Sequence, residues 1–88
     1  MNIGNAIKEI RQAKGYSQKK LADKCGLSAN ALCAIERNTS FPSKESLEKI
    51  CNALEIPEAY LMFYSVSEDE VDIEKRAAFK ALKTVLIS

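Results

Sequence analysis

The strongest constraint on the fold is a pair of helix starts joined by one tight turn. Ser17 and Ser28 are both favourable helix N-caps, because a serine hydroxyl accepts a hydrogen bond from a backbone N–H that the first helical turn leaves unpaired. Gly26 lies between them and tolerates the left-handed backbone conformation that commonly ends a helix. Because the two serines are only eleven positions apart, the sequence predicts two short helices that meet at a sharp corner.

Hydrophobic periodicity predicts three further helices around this corner. Apolar residues recur at helical spacing before Gly15, which ends helix one, and again after Ser43 and Pro57, which begin helices four and five. Helix three is expected to end near Asn38, where asparagine replaces glycine in a left-handed cap, and Thr39–Pro42 is expected to form a loop. No run of alternating β-branched residues predicts a strand. The expected inward-facing residues are Ile3, Ala6, Ile7 and Ile10 in helix one, Leu47, Ile50, Cys51 and Leu54 in helix four, and Leu61 and Phe63 in helix five.

A sixth helix is expected in the last quarter of the chain. Its acidic residues come first, in Glu68–Glu74, and its basic residues come last, which is the charge order that a helix dipole favours. An apolar stripe along it needs a partner, either its own domain or the same helix of a second copy, and we favour the second copy. The sequence thus divides into a domain over residues 1–64 and a dimerisation or docking helix over residues 65–88. The stripe consists of Val71, Ala78, Phe79, Leu82, Val85 and Leu86.

The two halves of the chain carry opposite charge, although the net charge is only +1. Residues 1–44 hold eight Lys and Arg against three Asp and Glu, whereas residues 45–88 hold five against nine. With 47% apolar and 28% charged residues in a chain of 88, the composition is that of one small globular protein. An anionic partner is therefore expected to bind the first half.

Composition also excludes or disfavours several classes of function. The sequence lacks histidine, so Ser-His and Cys-His nucleophile systems are excluded, and the isolated Cys25, Cys33 and Cys51 support neither a zinc site nor a disulfide framework. The longest apolar run, Ala59–Tyr64, has six residues, against the roughly 20 of a membrane-spanning helix. The N-terminus lacks the features of a secretory signal. We therefore expect a cytoplasmic protein without enzymatic activity, cofactor, metal site or membrane partner.

The segment Gln18–Arg37 carries five apolar residues at the positions that two crossing helices bury together. Within it, Ala22 allows close contact between the helices and Gly26 forms the corner. This pattern resembles the helix-turn-helix of Cro/C1-type repressors, the XRE family, and the resemblance extends from helix one to about Leu61. It implies an all-α, five-helix, lambda-repressor-like DNA-binding domain, to which this chain adds the C-terminal helix. The five apolar residues are Leu21, Cys25, Leu27, Leu32 and Ile35, and the match also includes Gly15–Gln18, Ile35–Arg37 and Pro42–Ser43.

The resemblance implies that helix three lies in the major groove of DNA while helix two crosses the phosphate backbone. Gln18 stands at the N-terminus of helix two, where backbone donors and its own amide suit a phosphate. Asn30 is the candidate for base readout, because an amide can bond both N6 and N7 of adenine. Its alternative role is a second capping amide near the start of helix three. The implied DNA-contacting residues are Gln18, Lys19, Ser28, Ala29, Asn30, Cys33, Ala34, Arg37, Asn38, Thr39, Ser40 and Lys44.

Two of these positions depart from the family pattern. Ala29 and Ala34 stand where relatives often carry long polar side chains, and alanine offers only a methyl group to a thymine methyl. Direct base readout is therefore expected to be sparse, so that recognition depends on DNA shape and phosphate contacts or is less selective. Cys33 is expected beside the DNA as an ordinary thiol rather than a redox sensor.

The resemblance also pairs Arg11 with Glu36. Such a pair ties helix one to the end of helix three, on which the DNA-contacting residues are carried. If it is partly buried, removing one partner costs several kcal/mol, since the other charge is left without compensation.

These features predict a sequence-specific double-stranded DNA-binding protein, a transcriptional regulator that acts as a repressor and as a homodimer. Operators read by such modules are usually two half-sites about 34 Å apart, which requires a twofold dimer. Two alternatives stay open. One is the antitoxin of a toxin–antitoxin pair, whose acidic C-terminal segment binds a partner protein. The other is a protein-interaction module that keeps the helix-turn-helix shape without DNA affinity, an interpretation that Ala29 and Ala34 favour.

Overall fold

Residues 2–87, which the computed structural model describes, form six α-helices and two separate 3-10 turns. Side chains are described as far as Val85. No strand occurs in this part of the chain, so the predicted all-α fold is confirmed. The helices are α1 (Ile3–Ala13), α2 (Gln18–Cys25), α3 (Ala29–Glu36), α4 (Lys44–Leu54), α5 (Glu58–Ser65) and α6 (Arg76–Ile87).

Serine side chains cap α2, α3 and α4 as predicted. Ser17 Oγ accepts a hydrogen bond from the Lys20 N–H at 3.0 Å, and Ser28 and Ser43 make the equivalent contact at the starts of α3 and α4. Gly26 follows α2 in the left-handed conformation, with φ of 70°. Only two residues follow it before α3 begins, so the corner between α2 and α3 is tight.

The core forms where α2 packs against α3 and α4, and where α1 packs against α3 and α5. Burial raises the pKa of the Cys51 thiol to about 11, with smaller contributions from Glu58 and Cys25. This thiol therefore stays protonated at neutral pH and packs as a small apolar group. Leu27, predicted to be buried, is only half-buried, because it lies in the turn rather than on a helix. The buried apolar residues are Ile3, Ala6, Ile7, Ile10, Leu21, Ala22, Cys25, Leu32, Ile35, Leu47, Ile50, Cys51, Leu54 and Leu61.

Gly4 allows α1 to approach the end of α3 closely. A Cβ atom at this position would lie 2.6 Å from Asn38 Oδ1 and 2.9 Å from Glu36 O, and it would also meet Ile35 O. The Gly4 N–H donates to Asn38 Oδ1 at 3.2 Å, and Asn38 Nδ2 donates to Asn2 Oδ1 at 2.7 Å. Asn38 has φ of 61°, the left-handed conformation that the sequence predicted. Its side chain thus joins the end of α3 to the start of α1.

The C-terminal helix is shorter than the charge pattern predicted. Glu68–Glu70 and Ile73–Lys75 form single 3-10 turns, Val71 between them is extended, with φ of −111° and ψ of 141°, and α6 begins only at Arg76. The prediction that Glu68–Glu74 forms the first turns of this helix is therefore wrong. The physical reason is that this segment places five carboxylates within seven residues, and like charges repel when a helix brings them together.

One side of α6 packs against its own domain. The Phe79 and Phe63 ring centroids are 5.3 Å apart, so Phe63 contacts α6 and is half-buried rather than part of the buried core. Lys83 Nζ donates to Val66 O at 3.2 Å and lies 4.5 Å from the centre of the Tyr64 ring, where the ring face attracts the ammonium. Burial, together with a hydrogen bond to Glu9, raises the pKa of the Tyr64 hydroxyl to about 12.

The adjacent side of α6 is exposed. Ala78, Leu82 and Val85 follow one another at helical spacing, and Leu82 and Val85 are 49% and 71% exposed. Phe79 and Val71, which the sequence placed on the same stripe, are half-buried within the chain. The Leu86 side chain lies outside the described side chains. The predicted stripe is therefore divided between two sides of α6, one packed on the domain and one largely exposed.

Candidate nucleic-acid interface

The first turn of α3 faces outward from the corner with α2. Leu32 and Ile35 are buried in the core, which leaves the opposite side of the helix at the surface. Ser28, Ala29 and Asn30 are all exposed there. Because the Ser28 hydroxyl provides the helix cap, the Asn30 amide is not required for capping and stays at the surface.

The second half of α3 is less open than the sequence predicted. Cys33 and Ala34 were expected to face outward, but both are half-buried. The Ala34 carbonyl accepts hydrogen bonds from the Thr39 N–H at 3.0 Å, the Ser40 N–H at 3.2 Å and the Thr39 hydroxyl at 3.0 Å. The loop after α3 therefore folds back over its last turn, and direct access to α3 is concentrated at its N-terminal end.

A buried ion pair joins α1 to the end of α3. Arg11 Nε donates to Glu36 Oε2 at 2.8 Å, and Arg11 Nη2 donates to Glu36 Oε1 at 3.1 Å. The two residues are only 8% and 7% exposed. Arg11 Nη1 also donates to Tyr16 O at 2.8 Å, so the guanidinium fixes the turn before α2 as well. This is the pair that the family resemblance implied.

Gln18 belongs to the same network. Its Nε2 donates to Glu36 Oε1 at 3.2 Å, and the side chain is half-buried. In the DNA-free protein the amide that was expected to bind a phosphate is therefore held by Glu36. The donors that remain available to a phosphate here are backbone N–H groups in the first turn of α2, where the helix dipole is positive.

A recess of about 260 Å³ opens beside this network. Lys8 and Arg37 are exposed and supply its positive charge. Lys8 was not among the predicted DNA-contacting residues, although its position three residues before Arg11 places it on the same side of α1. That spacing is the sequence signal that could have identified it. The recess is lined by Lys8, Arg11, Gln18, Cys33, Glu36 and Arg37.

Exposed cations lie on α1, α2 and α4 and directly after α3, and we take four of them as candidate phosphate contacts. They are Lys8 on α1, Lys19 on α2, Arg37 directly after α3 and Lys44 at the start of α4. We call these residues the basic rim. Thr39 and Ser40 add exposed loop positions, whereas the neighbouring Asn38 side chain is used in binding α1. Among the described residues, no group of three or more His, Cys, Asp or Glu is placed to hold a metal ion.

Comparisons with known proteins identify relatives of this domain. The helix-turn-helix family model matches residues 7–61. The HTH-type transcriptional regulator ImmR of Bacillus subtilis (strain 168) is 35% identical over 71 residues, which are 81% of this chain and 53% of ImmR. The HTH-type transcriptional regulator SinR of the same organism is 44% identical over 55 residues, 61% of this chain and 50% of SinR. The immunity repressor protein of Bacillus phage phi105 is 33% identical over 81 residues, 92% of this chain and 54% of that protein.

The chain therefore spans about half the length of these curated relatives. Among solved structures, a single-residue mutant of the restriction-modification controller protein C.Esp1396I superposes with a TM-score of 0.66 and 36% sequence identity, covering 69% of this chain and 79% of that one. None of the described helices combines the length and hydrophobicity that a bilayer span requires. Because the family match covers more than half of the sequence, this chain belongs to the helix-turn-helix family of Cro/C1-type, or XRE, regulators.

Proposed function

We propose that this chain binds double-stranded DNA sequence-specifically and acts as a transcriptional regulator. The observation that carries the proposal is the exposed first turn of α3, which the corner with α2 and the Arg11–Glu36 pair hold outward. A helix presented in this way fits the major groove of B-DNA. The exposed cations of the basic rim suit the phosphates of the DNA backbone.

Retardation of duplex DNA over a range of salt concentrations tests this proposal. If the four residues of the basic rim each neutralise one phosphate, the logarithm of the binding constant falls with the logarithm of salt with a slope of about −3 to −4 per chain. Absence of retardation at low salt, or an affinity that does not change with salt, would remove the proposal. Absence of retardation would favour the protein-interaction module instead.

Asn30→Ala is expected to weaken binding to a sequence selected from a random duplex pool. An amide that bonds adenine N6 and N7 contributes about 1–3 kcal/mol of discrimination, so the affinity falls by roughly 5-fold to 150-fold. The loss should be confined to sequences with adenine at one position of the half-site. Fluorescence anisotropy with the selected duplex and with single-base variants of it measures both quantities.

Lys19→Ala is the matched control for this variant, because Lys19 is exposed on α2 and belongs to the basic rim. It should weaken binding to all duplexes by similar factors and lower the salt slope by about one. If Asn30→Ala behaves like Lys19→Ala, or leaves the affinity unchanged, Asn30 does not read a base.

We further propose that the chain represses transcription as a homodimer formed through the exposed face of α6. Ala78, Leu82 and Val85 leave an apolar strip on this face in the single chain. A twofold dimer also matches operators built from two half-sites.

Leu82→Glu is expected to convert this dimer into a monomer, because it places two carboxylates in the apolar contact of a twofold pair. Ala77→Glu is the matched control, since it adds the same charge to α6 about 100° around the helix from Ala78. Sedimentation of the two variants and the unaltered chain measures the outcome. If the unaltered chain is a monomer, or both variants still dimerise, this face does not form the interface.

A further inference from the structure

Phe41 is the most exposed of the large apolar side chains in the described part of the chain, at 78%. We infer that Phe41 packs against the sugar rings and base edges of the DNA minor groove next to the major groove that α3 enters. This inference rests on the proposed function and adds an apolar contact that neither the helix-turn-helix corner nor the basic rim supplies. It makes Phe41 a residue that senses the deformability of the operator.

The loop that carries Phe41 begins at the C-terminal end of α3 and is bonded to its last turn. Ser40, the residue before it, donates its N–H to the carbonyl of Ala34 at 3.2 Å. Ala34 lies one helical turn after Asn30, so the two residues share a face of α3. With the first turn of α3 in the major groove, a loop that leaves the other end of the helix between Arg37 and Lys44 lies near the phosphate backbone that separates this groove from the minor groove.

Phe41 is held in place although its side chain is exposed. Ser40 is bonded to α3 on one side, while Pro42 is buried on the other. A residue before proline is also restricted to extended backbone conformations, and Ser43 then caps α4. Because the backbone around Phe41 is already fixed, binding of the Phe41 ring to a partner costs little conformational entropy. An aromatic side chain on a mobile loop would lose more.

The surroundings of Phe41 combine apolar and polar groups. The ring borders an open cavity of about 470 Å³, whose other walls are Asn2, Ile3, Asn38 and Ser40. Amide and hydroxyl groups beside an aromatic ring suit a sugar–phosphate backbone, which combines polar oxygens with an apolar sugar face. The exposed cations Arg37 and Lys44 flank the loop, so the occupant is expected to be an anion.

Such a contact fits the sparse readout expected from α3. Ala29 and Ala34 offer only methyl groups, so little sequence information passes through the major groove. Apolar side chains that enter a minor groove partly unstack base steps, and pyrimidine–purine steps yield most easily. Phe41 therefore gives the protein a preference for flexible steps at a fixed distance from the half-site.

The absence of tryptophan from the chain allows a direct test. Phe41→Trp places a single tryptophan in the loop, and Asn52→Trp places one at an exposed site of α4 about 12 Å along the helix axis from Lys44. Quenching of the emission by iodide is measured for each variant with and without the selected duplex. We expect the duplex to remove roughly half or more of the quenching in the Phe41→Trp protein and to leave the quenching in the Asn52→Trp protein unchanged.

Phe41→Ala provides the affinity measurement. We expect roughly 10-fold weaker binding of the selected duplex, an unchanged salt slope, and loss of the preference for pyrimidine–purine steps in a second selection. Asn52→Ala should change none of these.

Two results would overturn the inference while leaving the proposed function intact. One is that Phe41→Ala binds with the same affinity and step preference as the unaltered chain. The other is that DNA does not alter the quenching in Phe41→Trp. A loss of dimerisation in Phe41→Ala also overturns it, because Phe41 would then contact a second copy. If the unaltered chain binds no duplex at any salt concentration, the proposed function itself fails.

Discussion

Arg11→Ala is expected to lower the free energy of unfolding by about 3–5 kcal/mol, the cost of removing one partner from a buried ion pair. Arg11 bonds both carboxylate oxygens of Glu36, and both side chains are almost fully buried. After the substitution the Glu36 carboxylate keeps only the Gln18 amide at 3.2 Å, which does not compensate a buried charge. Chemical denaturation with circular dichroism measures the change.

The chain offers a matched control in its exposed ion pair. Lys49 Nζ lies 3.3 Å from Glu45 Oε1, and these side chains are 46% and 79% exposed. Lys49→Ala should change the stability by less than about 1 kcal/mol, because water screens this pair. Replacing both buried partners, Arg11→Met with Glu36→Leu, should recover much of the loss. Equal effects of Arg11→Ala and Lys49→Ala would show that the buried pair does not stabilise the fold.

Gly4→Ala is expected to destabilise the protein by about 2 kcal/mol, although alanine favours a helix over glycine by up to about 1 kcal/mol. The added methyl group would meet the carbonyl oxygens of Ile35 and Glu36 and the Asn38 side chain. Backbone carbonyls cannot rotate away as a flexible side chain can, so α1 must move from the end of α3. The hydrogen bond from the Gly4 N–H to Asn38 would be lost with that movement.

Thermal unfolding of Gly4→Ala beside Asn5→Ala separates the clash from helix propensity. Asn5 is the next residue of α1 and is exposed, so its replacement should leave the stability unchanged or raise it slightly. Gly4→Ala should also weaken DNA binding, because α1 carries Lys8 and supports the end of α3. A Gly4→Ala protein as stable as the unaltered chain would show that α1 and α3 tolerate a wider separation.

The helix-turn-helix could be predicted from the sequence because its determinants are local. Ser17 and Ser28 find their capping partners within three residues, and Gly26 needs only its own backbone freedom. The apolar spacing of α1, α2, α3 and α4 then leaves one consistent way to bury Leu21, Leu32 and their neighbours. Local and long-range preferences agree in this part of the chain.

Other features depend on contacts that periodicity does not show. The Asn38 side chain binds residues more than thirty positions away, a link to α1 that the loop position of this asparagine does not reveal. Ala34 is half-covered because the loop returns over it, which its position on the helical wheel does not reveal. For α6, charge order favoured a helix through Glu68–Glu74, but repulsion within that segment outweighs the helix dipole.

The proposed function requires that the exposed first turn of α3 enters the major groove of a duplex. Dimethyl sulfate methylates guanine at N7, an atom that lies in the major groove, so protection from this reagent reports occupancy of that groove. With a duplex selected from a random pool, we expect the unaltered protein to protect guanines within each half-site and Asn30→Ala to protect them less. Full reactivity of every guanine N7 in a duplex that the protein demonstrably binds would show that α3 does not occupy the major groove.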